Sequence, residues 1–215
     1  MPVKLAKPQQ FGRGAVKYKV EGPEDNPTTV KLSIAYDEAP VPEHYYVADY
    51  FQIIPFDLEV LMIFGKLDYP NPQKLRNKIE IYFPVDLFIA QLWRSSREFE
   101  KTLVGYVDQH KAKIVEPGEL PPETDKVQTL HSNNVLMVLS AGQCMMDFFY
   151  ISAKDLWLRP QRNEAIGIEA LVRVLAPASV VLGFLREADK VVQAYVEKLG
   201  PTVMGEQANE TVESK

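Results

Sequence analysis

The residues of this chain equipped for chemistry are few: one cysteine, three histidines and some clusters of acids and arginines. Cys144 stands in Gln143-Cys144-Met145-Met146, inside an apolar run. A thiol becomes a nucleophile when a cation or a base holds it as thiolate. No histidine or basic residue adjoins Cys144, so it reads as a small buried hydrophobe. His44, His110 and His131 are scattered, with no i to i+4 pair, no HxH and no CxxC, so metal-ligand spacing is missing. His110 reads as a favourable charge at a helix C-terminus. Asp57 and Glu59 alternate on one strand face, where they could bind a cation or act as acid and base, but a solvated outer face is the much plainer reading. The sequence contains no GxGxxG, GxxxxGK(S/T) or GxSxG. The expectation is a protein that is not an enzyme and uses no cofactor and no metal.

Two clusters lean toward binding. Trp157, Arg159 and Arg162 lie together in a polar, turn-rich segment, and Trp93, Arg94 and Arg97 form a small basic patch beside an apolar helical stripe. Trp and Arg are the side chains most enriched at interface hot spots, so these six are the candidate partner-binding residues. A plainer reading has Trp157 capping the core while the arginines snorkel, and Trp93 to Arg97 as ordinary helix surface.

The elements that would position these residues follow from periodicity. In residues 45–54 and 58–67 the side chains are β-rich, and residues 78–83 alternate as Ile79, Ile81 and Phe83 against Lys78, Glu80 and Tyr82. Pro84 with Asp86 reads as a helix start, and Phe88, Leu92, Phe99, Leu103 and Val107 give a helix of about six turns with one apolar stripe. Residues 127–139, 143–151 and 165–175 read as three further strands, and Pro177 opens a second helix with the stripe Val181, Phe184, Leu185, Ala188, Val192, Tyr195 and Leu199. Loops are expected at 68–77 and 152–163. Upstream, residues 15–20 and 28–36 read as a hairpin.

The fold class expected is therefore α+β: antiparallel strands with two long amphipathic helices, made by internal duplication of a β-β-β-α unit. The predicted organisation is a flexible arm (1–13), the hairpin and first copy (14–110), a Pro-rich connector (111–126), the second copy (127–200) and a disordered polar tail (201–215).

The run Tyr46-Val47-Ala48-Asp49-Tyr50-Phe51, the strand through Phe64 and Ile81-Tyr82-Phe83-Pro84 resemble a small bacterial family of uncharacterised function. Its members carry a first strand rich in tyrosine and asparagine, a strand ending in Phe and a Pro-initiated helix. Ser132-Asn133-Asn134-Val135 is similar, and Asp49 departs from the family's Asn. The resemblance implies the unit and no activity. A looser likeness, of topology, is to export chaperones of the SecB kind, which also place a long helix after an antiparallel sheet.

A net charge of -5 and a pI near 5.3 argue against a dominant nucleic-acid or anionic-membrane role, because both partners reward a basic face. Residues 1–8 have no apolar run after them, and one cysteine makes no internal disulfide, so a cytoplasmic protein is expected. The leading function is a non-enzymatic interaction or scaffold module that self-associates as a homodimer or higher and serves a protein partner, in a chaperone-like or adaptor role. The alternatives are a small-molecule-binding domain or enzyme with a site between the copies, and a nucleic-acid adaptor using Arg94, Arg97, Arg159 and Arg162.

Overall fold

The computed structural model describes residues 11–21, 29–33, 39–69, 71–118, 123–124, 127–162 and 164–199. The chain is α+β, with two predominantly antiparallel sheets. Strands β1 (Arg13–Glu21) and β2 (Thr29–Ser33) form the expected antiparallel pair. Next come β3 (Tyr45–Val47), β4 (Tyr50–Pro55), β5 (Glu59–Asp68) and β6 (Asn71–Pro84). The helical stretch after Pro84 comprises α1 (Val85–Leu87), a π-helical segment (Phe88–Arg94) and α2 (Arg97–Gln109). Strands β7 (Glu123–Thr124), β8 (Val127–His131), β9 (Asn134–Ser140) and β10 (Gln143–Tyr150) lead to α3 (Ala153–Gln161), β11 (Ile166–Pro177) and α4 (Ala178–Leu199). No helix among the described residues is long and apolar enough to cross a membrane.

One sheet runs β2-β1-β11-β10-β9, and the other runs β4-β5-β6 with β7 and β8 on the far edge of β6. The two halves of the chain are tied by parallel pairs that cross between them: β3 pairs with β11, and β8 with β6. At the end of each crossing the chain steps from one sheet to the other. Ala48 N–H donates to the Leu175 carbonyl at 2.8 Å, and Ser132 N–H donates to the Tyr82 carbonyl at 2.9 Å. Each long helical stretch then starts against a hairpin turn, with Val85 N–H on the Leu58 carbonyl (3.1 Å) and Ala178 N–H on the Gly142 carbonyl (3.0 Å).

Apolar side chains from both halves share the main core. Phe64 of β5 meets Phe148 of β10 at 6.1 Å and Phe184 of α4 at 5.2 Å between ring centroids. The consecutive apolar residues of β5 serve two faces: Val60, Met62 and Phe64 enter the main core, while Leu61 and Ile63 join Tyr50 and Leu75 in a separate cluster. β10 does the same, and the register shift between Phe148 and Phe149 leaves Leu171 of β11 as the extra residue, so that Val172 enters the main core while Ala170 joins a third cluster with Val16, Phe149, Ile151 and Ile168. In the β9–β10 turn, Ala141 (φ 48°) and Gly142 (φ 82°) both adopt the left-handed conformation of a two-residue hairpin.

Three expectations are corrected. The segment 68–77 is mostly strand, because β6 begins at Asn71 and pairs with β5 through two register shifts. The segment 152–163 contains α3: Ser152 caps it, its Oγ accepting from Asp155 N–H at 3.0 Å, and the Asp155 carboxylate takes Arg159 one turn later at 2.9 Å. Pro160 falls in the last turn, where it ends the helix and does not prevent it. The helix after Pro84 is not one regular α-helix. Ser95 and Ser96 direct their hydroxyls back to the Ala90 and Leu92 carbonyls at 2.9 and 2.6 Å, which feeds the π segment and the turn between the helical pieces. Residues 1–10 of the arm, most of the hairpin turn and the tail 201–215 lie outside the described residues.

Candidate interaction site

Among the described residues strand β9 is the last strand of its sheet, and a sheet edge carries backbone donors and acceptors that point away from the neighbouring strand. The helical stretch 85–99 faces that edge across a groove of about 520 Å³, lined by apolar Leu87, Phe99, Val135, Met137 and Leu156 and by polar Asn134. Gln91, from the π segment, reaches over one end. Its Oε1 accepts from Val135 N–H and its Nε2 donates to the Asn133 carbonyl, both at 3.1 Å. A primary amide has the same acceptor–donor arrangement as a peptide group, so Gln91 pairs with β9 as a neighbouring strand would.

The edge of the other sheet, β4, is covered by the chain itself. Gly118 N–H donates to the Phe51 carbonyl at 3.3 Å, and Tyr50 Oη donates to the Gly118 carbonyl at 3.2 Å. A side chain at Gly118 would collide with the Tyr50 ring, 2.3 Å from the place of its Cβ. Upstream, Val115 N–H donates to the Ser179 carbonyl at 3.3 Å, and the Val115 carbonyl rests on Gly183, only 1.9 Å from where a Cβ would stand. Ile114 and Val115 pack on the main core. The prolines of this segment suit a connector, and its Gly118 and the facing Gly183 fit it between β4 and α4. Sequence gives none of Gln91, Asn134, Gly118 and Gly183 as a binding residue, since each acts through partners distant in the chain.

The sequence-selected residues fall elsewhere. Trp93 is half-buried, its Nε1–H donating to Asp189 Oδ1 of α4 at 2.5 Å; Arg97 reaches the same oxygen at 2.6 Å, with its guanidinium 5.1 Å from the Trp93 ring centroid. These two therefore join the helices to each other. Burial pushes the Asp189 carboxyl up, but the hydrogen bonds from Trp93 and Arg97 outweigh it and hold the group below its ordinary value. Arg94 is exposed. Arg159 is clamped between Asp155 and Glu164, at 2.9 and 3.0 Å, and Arg162 is exposed at the end of α3; Trp157 lies on α3.

Cys144 is fully buried in the main core, which pushes its thiol up to about 12. His131 stacks on Tyr82 at 5.1 Å between centroids and stands 3.6 Å from Glu59, on the outer side of the sheet. His110 stacks on Tyr106 at 4.1 Å, with Nδ1 2.9 Å from the Tyr106 carbonyl. His44 is exposed beside β3. Asp57 pairs with Lys198 at 3.2 Å. Among the described residues no three His, Cys, Asp or Glu side chains could together hold a metal ion. Comparison with family models, with curated proteins and with solved structures finds no match to this chain.

Proposed function

We propose that this chain is a non-enzymatic interaction module, a duplicated β-β-β-α unit that holds an extended segment of polypeptide along β9. One observation carries the reading: the edge of β4 is covered by residues 114–118, whereas the edge of β9 faces an apolar groove of about 520 Å³. Backbone hydrogen bonds to a strand edge give affinity, and pockets for alternate side chains give selectivity. The duplication rests on the order of elements and on the matching bonds of Ala48 and Ser132, and of Val85 and Ala178. Arg97 and Arg159 are committed to carboxylates, which weighs against the nucleic-acid reading.

The test is fluorescence anisotropy with a labelled peptide copying residues 112–119 and a chain ending at Gly200, so that no following segment competes. Micromolar binding, lost in Leu87→Glu and Phe99→Glu chains that keep their circular dichroism, is the expected result. Failure to bind at millimolar peptide would sink the reading.

Self-association is favoured by a separate surface. Leu58 is 83% exposed and Phe56 48% exposed, and the Phe56 ring stacks on Tyr82, itself stacked on His131. Such a patch suits a second copy under twofold symmetry. Light scattering should then give about twice the 24.4 kDa chain mass, reduced to the single mass in Leu58→Asp.

A further inference from the structure

We propose that the cleft where the two crossing strands meet binds a sugar unit, a neutral ring carrying several hydroxyls. Strands β3 and β8 each leave their own half of the chain to pair with the other, and they touch where Tyr46 Oη donates to Gln128 Oε1 at 2.7 Å. Beside that bond opens a pocket of about 410 Å³, lined by half-buried Tyr46, Asn77 and Gln128 and by exposed Glu43, His44 and Tyr45. Its size falls in the ordinary range of small-molecule sites, about 300–1,000 Å³.

Asn77 is the residue that the fold itself does not need. It stands on β6 two places before the core residue Ile79, and its Oδ1 is buried with no hydrogen-bond partner among the described residues. A buried acceptor left unpaired destabilises a protein, and an apolar residue in its place removes that cost. The equivalent mouth, on the other side of the crossing, is built without it. There the matching bonds of Ala48 and Ser132 put Leu130 in the place of Tyr46 and His44 in that of Gln128, and the wall on β11 is Ala170 and Leu171. A polar residue held at a cost to stability, on the wall of a pocket, is accounted for by what it binds.

The wall selects the ligand. Gln128 Oε1 is taken by Tyr46 and Asn77 Oδ1 is buried, which leaves the NH2 groups of the two amides to donate, so the ligand carries oxygen acceptors. Glu43 makes no ion pair among the described residues, and a carboxylate accepts hydrogen bonds without donating any, so the ligand carries donors as well. Adjacent hydroxyls supply both at once. The apolar C–H face of a sugar ring also suits an exposed aromatic ring, here Tyr45 at 69% exposure. An organic anion would be set against Glu43, a cation against the two NH2 groups, and an aliphatic ligand would leave all of them unpaired.

The experiment follows the side-chain NH2 signals of Asn77 and Gln128 by NMR in the full chain while D-glucose, D-galactose, D-mannose or N-acetyl-D-glucosamine is added. Saturable shifts with a millimolar Kd for at least one of the four are expected. Maltose or cellobiose bound at least tenfold more tightly than D-glucose would assign the site to a unit within a glycan, and equal binding would assign it to the free sugar. Asn77→Ala should weaken binding at least tenfold and yet unfold at a higher urea concentration than the parent, a combination that a structural role would not produce. Tyr45→Ala should weaken binding at least fivefold with its urea midpoint unchanged. Leu87→Glu, in the groove beside β9, should bind sugar as the parent does, so the groove reading and this one fail separately. No saturable shift with any of the four sugars up to about 100 mM, or full binding by Asn77→Ala, would overturn the proposal. Tighter binding of cadaverine than of any sugar would overturn it in favour of a cation site.

Discussion

Asp49 and Asn133 perform one task in two chemical forms: each side-chain oxygen holds the backbone N–H at the end of the following hairpin strand, at Leu67 and at Ile151. Asn133 also donates, from Nδ2 to the Ile151 carbonyl at 2.6 Å, whereas Asp49 has no donor and uses its second oxygen for Lys66 at 2.7 Å. Asn133→Asp therefore loses a donor and sets an oxygen against a carbonyl, costing about 1–3 kcal/mol. Asp49→Asn gives up a partly exposed ion pair and costs about 0–1 kcal/mol. Urea midpoints of the two variants should separate in that order.

Gly183 is the tightest point between the chain segment 114–118 and α4. Gly183→Ala places a methyl on the Val115 carbonyl, which has to move away and take the Gly118 bond with it. A loss of about 1–3 kcal/mol is expected, as for other overpacked sites. Trypsin should also cut after Lys111 or Lys113 sooner than in the parent, and unchanged digestion would count against the close fit.

Trp93 and Arg97 depress the Asp189 carboxyl below its ordinary 3.8. A carboxylate whose folded pKa is lowered contributes stability above its unfolded value, and that contribution is lost as pH falls through the folded value. In denaturant titrations, Asp189→Asn should be less stable than the parent at neutral pH. The gap should close as the pH falls below the ordinary carboxylate value and through the depressed one of the folded chain.

Cys144, with its thiol pushed up to about 12 by burial, stays protonated at pH 8. A thiol reagent should leave the native chain unmodified for hours and label it within minutes in denaturant. Rapid native labelling would show that the core around β10 opens readily.

Much of the architecture is legible in local pattern. Ile79, Ile81 and Phe83 alternate toward the core as their spacing predicts, and Pro84 and Pro177 mark both passages from strand to helix. What is not legible depends on distant partners. Nothing near Tyr45 indicates that β3 breaks from β4 to lie parallel to β11, since the breaking bond comes from Leu175. Trp93 and Arg97 looked like a binding patch because their partner, Asp189, is on another helix. Gln91 was silent because a glutamine on a helix face is ordinary until a strand edge lies beneath it.

The crossed parallel pairs have a consequence for how the chain is made. On a ribosome the first half emerges with β3 lacking β11 and β6 lacking β8, because both partners are encoded downstream of the first helices. The sheet of β4, β5 and β6 must wait for residues 127–131 and β3 for residues 173–175, so the nascent chain holds apolar strand surface uncovered until its second half has been made.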